Sequence, residues 1–201
     1  MKSKSSLWAL AAILVVVGLA VGARLMVWSG DGHAAIGGPC TLTDHDGRTV
    51  TEKTFAGRWM LIYFGYTYCP DVCPTALGVV SVALDGLSPA ERAKLVPIFI
   101  TVDPERDTPQ LMKDYVTAFA ADMIGLAGTA AQTNAAKKAF TVYAEKAKGG
   151  DSENYTVDHS SILDLMGPDG KFVQHFPHGT SATDLLAGLK LAVVGGAAFT
   201  D

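Results

Sequence analysis

The sequence predicts an α/β domain built on a mixed central sheet flanked by helices, carried behind a single N-terminal apolar helix. Three observations predict it. Two near-continuous apolar runs, WMLIYFGY (59–66) and LVPIFITVD (95–103), have the composition of central strands buried on both faces. Segments with helical spacing lie between and after them, which is the alternation that builds sheets with helices on both sides. The first 28 residues carry an apolar run of a different kind, unbroken by any charge from Leu7 to Ala23.

That run is long enough to span a bilayer, and Lys2 and Lys4 in front of it place the N-terminus in the cytoplasm and export the remainder. A cleaved signal peptide ending near Gly22 and Ala23 is the alternative; the length of the run favours a retained anchor over residues 1–28. A Gly-rich linker follows (29–37), then a domain over 38–194 and a short tail, 195–201. The chain's formal charge is −4, and residues 1–34 hold Lys2, Lys4 and Arg24 against Asp31, so the exported part carries −6. Such a surface excludes nucleic acid as a partner.

CTLTD and RTVTE, joined by a DHDG turn, predict a β-hairpin over residues 40–52, with Cys40 and Leu42 facing inward as alternate residues of a strand. A buried small hydrophobe is the ordinary role for Cys40, a reactive thiol the other. After the first central strand, residues 74–87 predict a helix with Leu77, Val80, Ala83 and Leu84 on its apolar face. Asp107 or Thr108 caps the helix that starts at Pro109. Residues 131–147 are expected to be helical with Phe140 and Tyr143 inward, followed by the polar loop KGGDSENYTVDH. SILDLMG and KFVQHF flank a GPDG turn as a terminal hairpin, and residues 180–195 close the domain as a helix.

YFGYTYCPDVCPTAL (63–77) sets two cysteines four apart at the C-terminal edge of the first central strand, where α/β sheets place their sites. This is a thioredoxin-like arrangement with one residue more between the cysteines than a redox pair of the thioredoxin type. Pro74 disfavours helical geometry at Cys73, so the sequence places Cys73 as the helix cap and Cys69 on a loop curling over it, with both sulfurs near the positive end of the helix dipole. That setting lowers thiol pKa values and lets the pair close as a disulfide or grip a soft cation. Of the five histidines only His159 ends a long polar loop just before a strand, at an edge facing the cysteine loop. Cys69, Cys73 and His159 make a donor set suited to Cu(I); Zn²⁺ with a bound water is the alternative. Asp158 is placed to orient the imidazole or add charge. Asp103, Arg106 and Asp107 share that edge, where they support the cysteine loop or a docking face, or simply cap the helix and pair with each other.

These segments, together with GGPCTLTDHDG, TVDPERDTP and DHSSILDLMGPDGKFV, closely resemble the Sco/SenC copper chaperones over residues 37–193. The resemblance implies a membrane-anchored, thioredoxin-like protein of the inner membrane, N-terminus cytoplasmic and domain periplasmic, that holds one copper ion through Cys69, Cys73 and His159. It implies work on the binuclear copper site of cytochrome c oxidase subunit II: delivering the metal, reducing that subunit's cysteines, or both. Other periplasmic copper chaperones and thiol reductases are further candidate partners. In such proteins a large aromatic residue usually stands where this chain has Cys40. A thiol-disulfide oxidoreductase using Cys69 and Cys73 without copper delivery is the competing function; a peroxidase or a sensor explains fewer of the residues.

Overall fold

Residues 17–18, 36–148 and 154–195 are described in the computed structural model of the chain. The chain divides into two compact units, Met1–Ala34 and Ala35–Asp201. Of the first only Val17 and Gly18 are described, both helical. The expected anchor therefore lies outside the described residues, as does most of the linker and tail; no helix among the described residues is long and apolar enough to cross a membrane.

The second unit opens with the expected hairpin. β1 (Thr41–Asp44) pairs with β2 (Thr49–Thr51), and the turn between them is tied by Asp44, whose Oδ1 accepts from the amides of Asp46 at 3.0 Å and Arg48 at 2.8 Å. Every residue of β3 (Trp59–Gly65) and β4 (Leu95–Thr101) is buried, as their apolar runs require. The long helix between them, α1 (Val72–Asp85), is followed by a short α2 (Pro89–Arg92), which the sequence reading did not anticipate although Ser88 and Glu91 close a capping box around it. α3 (Pro109–Thr117) begins at Pro109 with Thr108, not Asp107, as its cap. Also unanticipated is β5 (Ile124–Ala127), four residues with too little pattern to stand out.

A larger departure follows α4 (Ala130–Ala139). The helix expected to reach residue 147 stops here, Thr141 takes a left-handed φ of 55°, and the chain enters β6 (Ala144–Lys146), which pairs antiparallel with β7 (Val157–His159). The run Phe140-Thr141-Val142-Tyr143 is β-branched and aromatic, which favours extended over helical backbone. Phe140 is buried as expected, but Tyr143 is exposed. The terminal hairpin, β8 (Leu163–Met166) and β9 (Phe172–Phe176), and the closing helix α5 (Ala182–Gly195) fall where the sequence puts them.

Seven strands form one mixed sheet in the order β2-β1-β5-β4-β3-β8-β9, with β3, β4 and β5 parallel and their neighbours antiparallel. β6 and β7 form a separate two-stranded sheet. Because strand residues alternate in direction, Gly65 looks onto Cys73 of α1 while Phe64 packs against Phe140 at 5.4 Å on the opposite face. On that second face the hairpin and sheet enclose an apolar cavity of about 290 Å³ lined by Cys40, Leu42, Met60, Ile62, Phe140 and Met166 among others. Cys40 lies just before β1 and is half-buried rather than buried, a correction to its expected inward place; partial burial and the Glu52 charge push its thiol pKa up.

Candidate metal centre

The site starts from a glycine. Gly65 ends β3, and a Cβ added there would stand 2.7 Å from Cys73 Sγ and 2.8 Å from the Phe99 ring. Only a residue without a side chain lets the sulfur settle against the sheet. The chain then leaves the strand as a tight loop in which the Cys69 amide donates to the Tyr66 carbonyl at 3.2 Å. Asp107 fixes this loop from below: its carboxylate accepts from the amide and hydroxyl of Thr67, at 3.2 and 2.6 Å, and from the Thr101 hydroxyl. Burial nonetheless pushes the Asp107 carboxyl above the usual range.

α1 is capped by Asp71, so Cys73 is its second residue and not its cap. Pro74 is tolerated there because a first-turn amide has no helical partner to lose. One such unpaired amide, that of Cys73, points at Cys69 Sγ, 3.4 Å away. The expectation that the helix dipole would lower both thiol pKa values fails for Cys73. It is completely buried, and desolvation of the thiolate pushes its pKa up.

His159 comes from β7, held opposite Ala144 of β6. Its Nε2 lies 3.4 Å from Cys73 Sγ and its Nδ1 3.0 Å from the Ser160 carbonyl, which assigns the proton to Nδ1 and leaves Nε2 with its lone pair facing the sulfurs. Burial lowers the imidazole pKa, so the neutral, ligating form is favoured. Asp158, expected to orient the ring, points outward as its strand neighbour and is exposed; Ser160 does that work.

A polar scaffold positions this arm; the sequence marked Asp103 and Arg106 as support or as an ion pair at this edge but not their reach to Tyr66 and Tyr155. Arg106 pairs with Asp103 at 2.5 Å, donates to the Tyr155 carbonyl at 2.9 Å and lies 3.6 Å from the centre of the Tyr155 ring, with Tyr68 4.8 Å away. The Tyr155 hydroxyl donates back to Asp103 at 2.7 Å, and the Val157 amide donates to the Tyr66 hydroxyl at 3.1 Å. The DPERDT loop is thus a support for both halves of the site. Its residues carried a signal in their position at the sheet edge; Tyr66 and Tyr155 carried none beyond apolar bulk.

Cys69, Cys73 and His159 offer ligand atoms that all lie within 4.8 Å of one another, and they form the one cluster of cysteine, histidine or acidic residues suited to a metal among the described residues. Metal–sulfur bonds of about 2.3 Å separate the ligands of a trigonal site by about 4 Å, so a small inward movement fits this set to one ion. Two sulfurs and one neutral imidazole suit a soft ion, which copper in its lower oxidation state is.

The sequence profile of the SCO1/SenC family matches residues 29–193. The chain belongs to this family. Among its relatives, the human mitochondrial SCO1 homolog is 38% identical over 159 residues, which are 79% of this chain and 53% of that protein. The chain thus spans about half the length of that relative. The solved Bradyrhizobium japonicum ScoI with copper bound superposes with a TM-score of 0.71 at 44% identity, over 78% of this chain and 98% of that one. BsSco, a Sco-family member of the cytochrome c oxidase assembly proteins in which a disulfide switch is identified, gives 0.62 at 25% identity, over 82% and 96%. The mixed sheet flanked by helices is therefore the Sco form of the thioredoxin-like fold, shared with a solved ScoI that has copper bound.

Proposed function

We propose that this protein is a metallochaperone that carries one copper ion on Cys69, Cys73 and His159 and delivers it to the binuclear copper site of cytochrome c oxidase subunit II, whose cysteines it also reduces. The observation that carries the reading is the convergence of two sulfurs and a neutral imidazole from segments 86 residues apart in sequence. The anchor at residues 1–28 holds the domain on the periplasmic side of the inner membrane, which supplies both the oxidase and an oxidising compartment.

Transfer proceeds by ligand exchange. His159 stands on a short strand pair of its own, whereas Cys73 stands in α1 and Cys69 on the loop that joins β3 to it, so the imidazole is the ligand that yields as cysteines of the acceptor enter. The ion passes on without a free state. Loading the site releases the protons of the thiols; when the acceptor's disulfide takes two electrons from the pair and opens to two thiols, the pair closes as a disulfide, and the loss of both thiolate ligands would expel any ion still held.

A second reading, a membrane-anchored thiol-disulfide oxidoreductase without copper delivery, draws on the same pair: Cys69 is the more exposed sulfur at 7%, Cys73 the fully buried one, in the order of an attacking and a resolving thiol. Metal analysis with X-ray absorption on the Cu(I)-loaded protein and on Cys69→Ser, Cys73→Ser and His159→Ala tests the first reading. Wild type is expected to hold about one copper per chain with sulfur and nitrogen neighbours, and each variant to lose most of it. If His159→Ala keeps copper and oxidase assembly, the chaperone reading is wrong and the oxidoreductase stands.

A further inference from the structure

Tyr63 lies in the middle of β3, 1% exposed, with its ring stacked on Phe99 at 6.2 Å and edge-on to the His159 imidazole at 6.1 Å. A ring held on two sides cannot swing its hydroxyl to bulk solvent. Yet that hydroxyl makes no well-formed hydrogen bond, although the Ser161 and Cys73 side chains are near enough to interact with it. A buried hydroxyl left without a good partner is destabilising, so its presence in a core calls for a partner in some working state of the molecule. The ionisable or polar side chains facing it are those of Cys73, Ser161 and Cys69. It also lines a small cavity of about 130 Å³ with Ser161, Thr75 and His178. A thiol sulfur is a weak acceptor and a disulfide sulfur a poorer one, whereas a sulfur carrying charge accepts strongly.

We propose that Tyr63 is a positioning residue whose hydroxyl donates a hydrogen bond to the Cys73 sulfur in the reduced and metal-bound states, favouring the reduced pair over the disulfide and drawing electron density from the sulfur that faces copper. The inference rests on Cys69 and Cys73 being the working pair, and it assigns a chemical task to a residue that otherwise reads as core. In the metal-free protein the relevant exchange is balanced by a dithiol: Cys69 and Cys73 release two electrons and two protons as their S–S bond forms, and oxidised dithiothreitol takes up both as its own S–S bond breaks. The reduced side of this exchange presents Tyr63 with the better of two acceptors, a thiol against a disulfide sulfur.

The test uses the full chain and its Tyr63→Phe and Ser161→Ala variants. In metal-free protein equilibrated with dithiothreitol, Tyr63→Phe is expected to move the equilibrium about fivefold toward the disulfide, equivalent to about 20 mV for a two-electron couple. In Cu(II)-loaded protein the sulfur-to-copper charge-transfer band is expected to shift to lower energy, because the sulfur becomes a better donor. Urea unfolding of the disulfide form is expected to show no loss of stability, since there the hydroxyl has no useful acceptor to lose. Ser161→Ala is expected to leave both readouts in place. An unmoved equilibrium and band in Tyr63→Phe overturns the proposal, and so does a Ser161→Ala shift as large, which would mean that the hydroxyl serves Ser161. Should Tyr63→Phe not fold, 3-fluorotyrosine at position 63, a stronger donor, must move the equilibrium the opposite way. The dithiol arm needs no metal, so failure of copper retention and failure of this inference are read separately.

Discussion

The two halves of the metal centre are built by different means. The sulfur half is local in sequence and set into the main core: Cys73 rests on Gly65, and Cys69 sits on a loop held by Asp107 through Thr67. The imidazole half arrives on β7, three residues paired to three residues of β6 outside the main sheet, and is pinned by Arg106, Asp103, Tyr155 and Tyr66. Burial fixes Cys73, the Asp107 contacts hold the loop of Cys69, and a handful of partly exposed polar contacts hold His159, so the site joins a buried base to an arm outside the main sheet. Changes under the sulfurs should therefore register as global stability, and changes under the histidine as metal release.

The largest expected effect tests whether the base is as firm as its burial suggests. Asp164 of β8, 1% exposed, stands next to Ile62 of β3 with one carboxylate oxygen unpaired, and burial raises its pKa from 3.8 to about 6. Because the folded state holds this proton longer than the unfolded state, the residue costs nothing below about pH 4. Its penalty builds between about pH 4 and 6, where the unfolded chain gives up the proton and the folded one keeps it, and stays at about 3 kcal/mol above that. Urea unfolding of wild type and Asp164→Asn should coincide near pH 4 and diverge by pH 7 in favour of the variant, with copper content unchanged; equal curves at pH 7 would remove the supposed weak point. Gly65→Ala should cost about 2 kcal/mol by crowding Cys73 Sγ and Phe99, and should lower copper retention at the same time.

On the imidazole side, Arg106→Ala should leave the midpoint of global unfolding within about 1 kcal/mol yet speed copper loss to a chelator about tenfold, because the partly exposed network holds the arm and not the core. If it instead unfolds the domain, the two halves are not separable. Tyr66→Phe, which removes only the acceptor of the Val157 amide, should have the smallest effect: faster hydrogen exchange at that amide, about fivefold, with little change in metal release.

The sulfur half was largely legible in the sequence because its cause is local. Apolar runs marked β3 and β4, and the cysteine spacing followed directly. What misled was Pro74, since the bias it places on Cys73 is weaker than the pull of a helix whose first-turn amides need no partner. The dipole argument for Cys73 failed for a related reason: sequence shows proximity to a helix end but not complete burial. His159 was found from its place before a strand, yet the hairpin that carries it was hidden, because Phe140 and Tyr143 fit a helical period as well as an extended run. Arg106 and Tyr155 meet across 49 residues, and nothing in either segment names the other.

The separateness of β6 and β7 has an evolutionary consequence. Their three rungs, Ala144 with His159, Glu145 with Asp158 and Lys146 with Val157, share no ladder with the seven strands that carry the cysteines. Mutation can lengthen, recode or exchange this hairpin between descendants without shifting the register of the scaffold. A change in this strand pair is thus free to alter the imidazole's place while the strands beneath the cysteines keep theirs, so long as Arg106 and Tyr66 still meet the incoming segment.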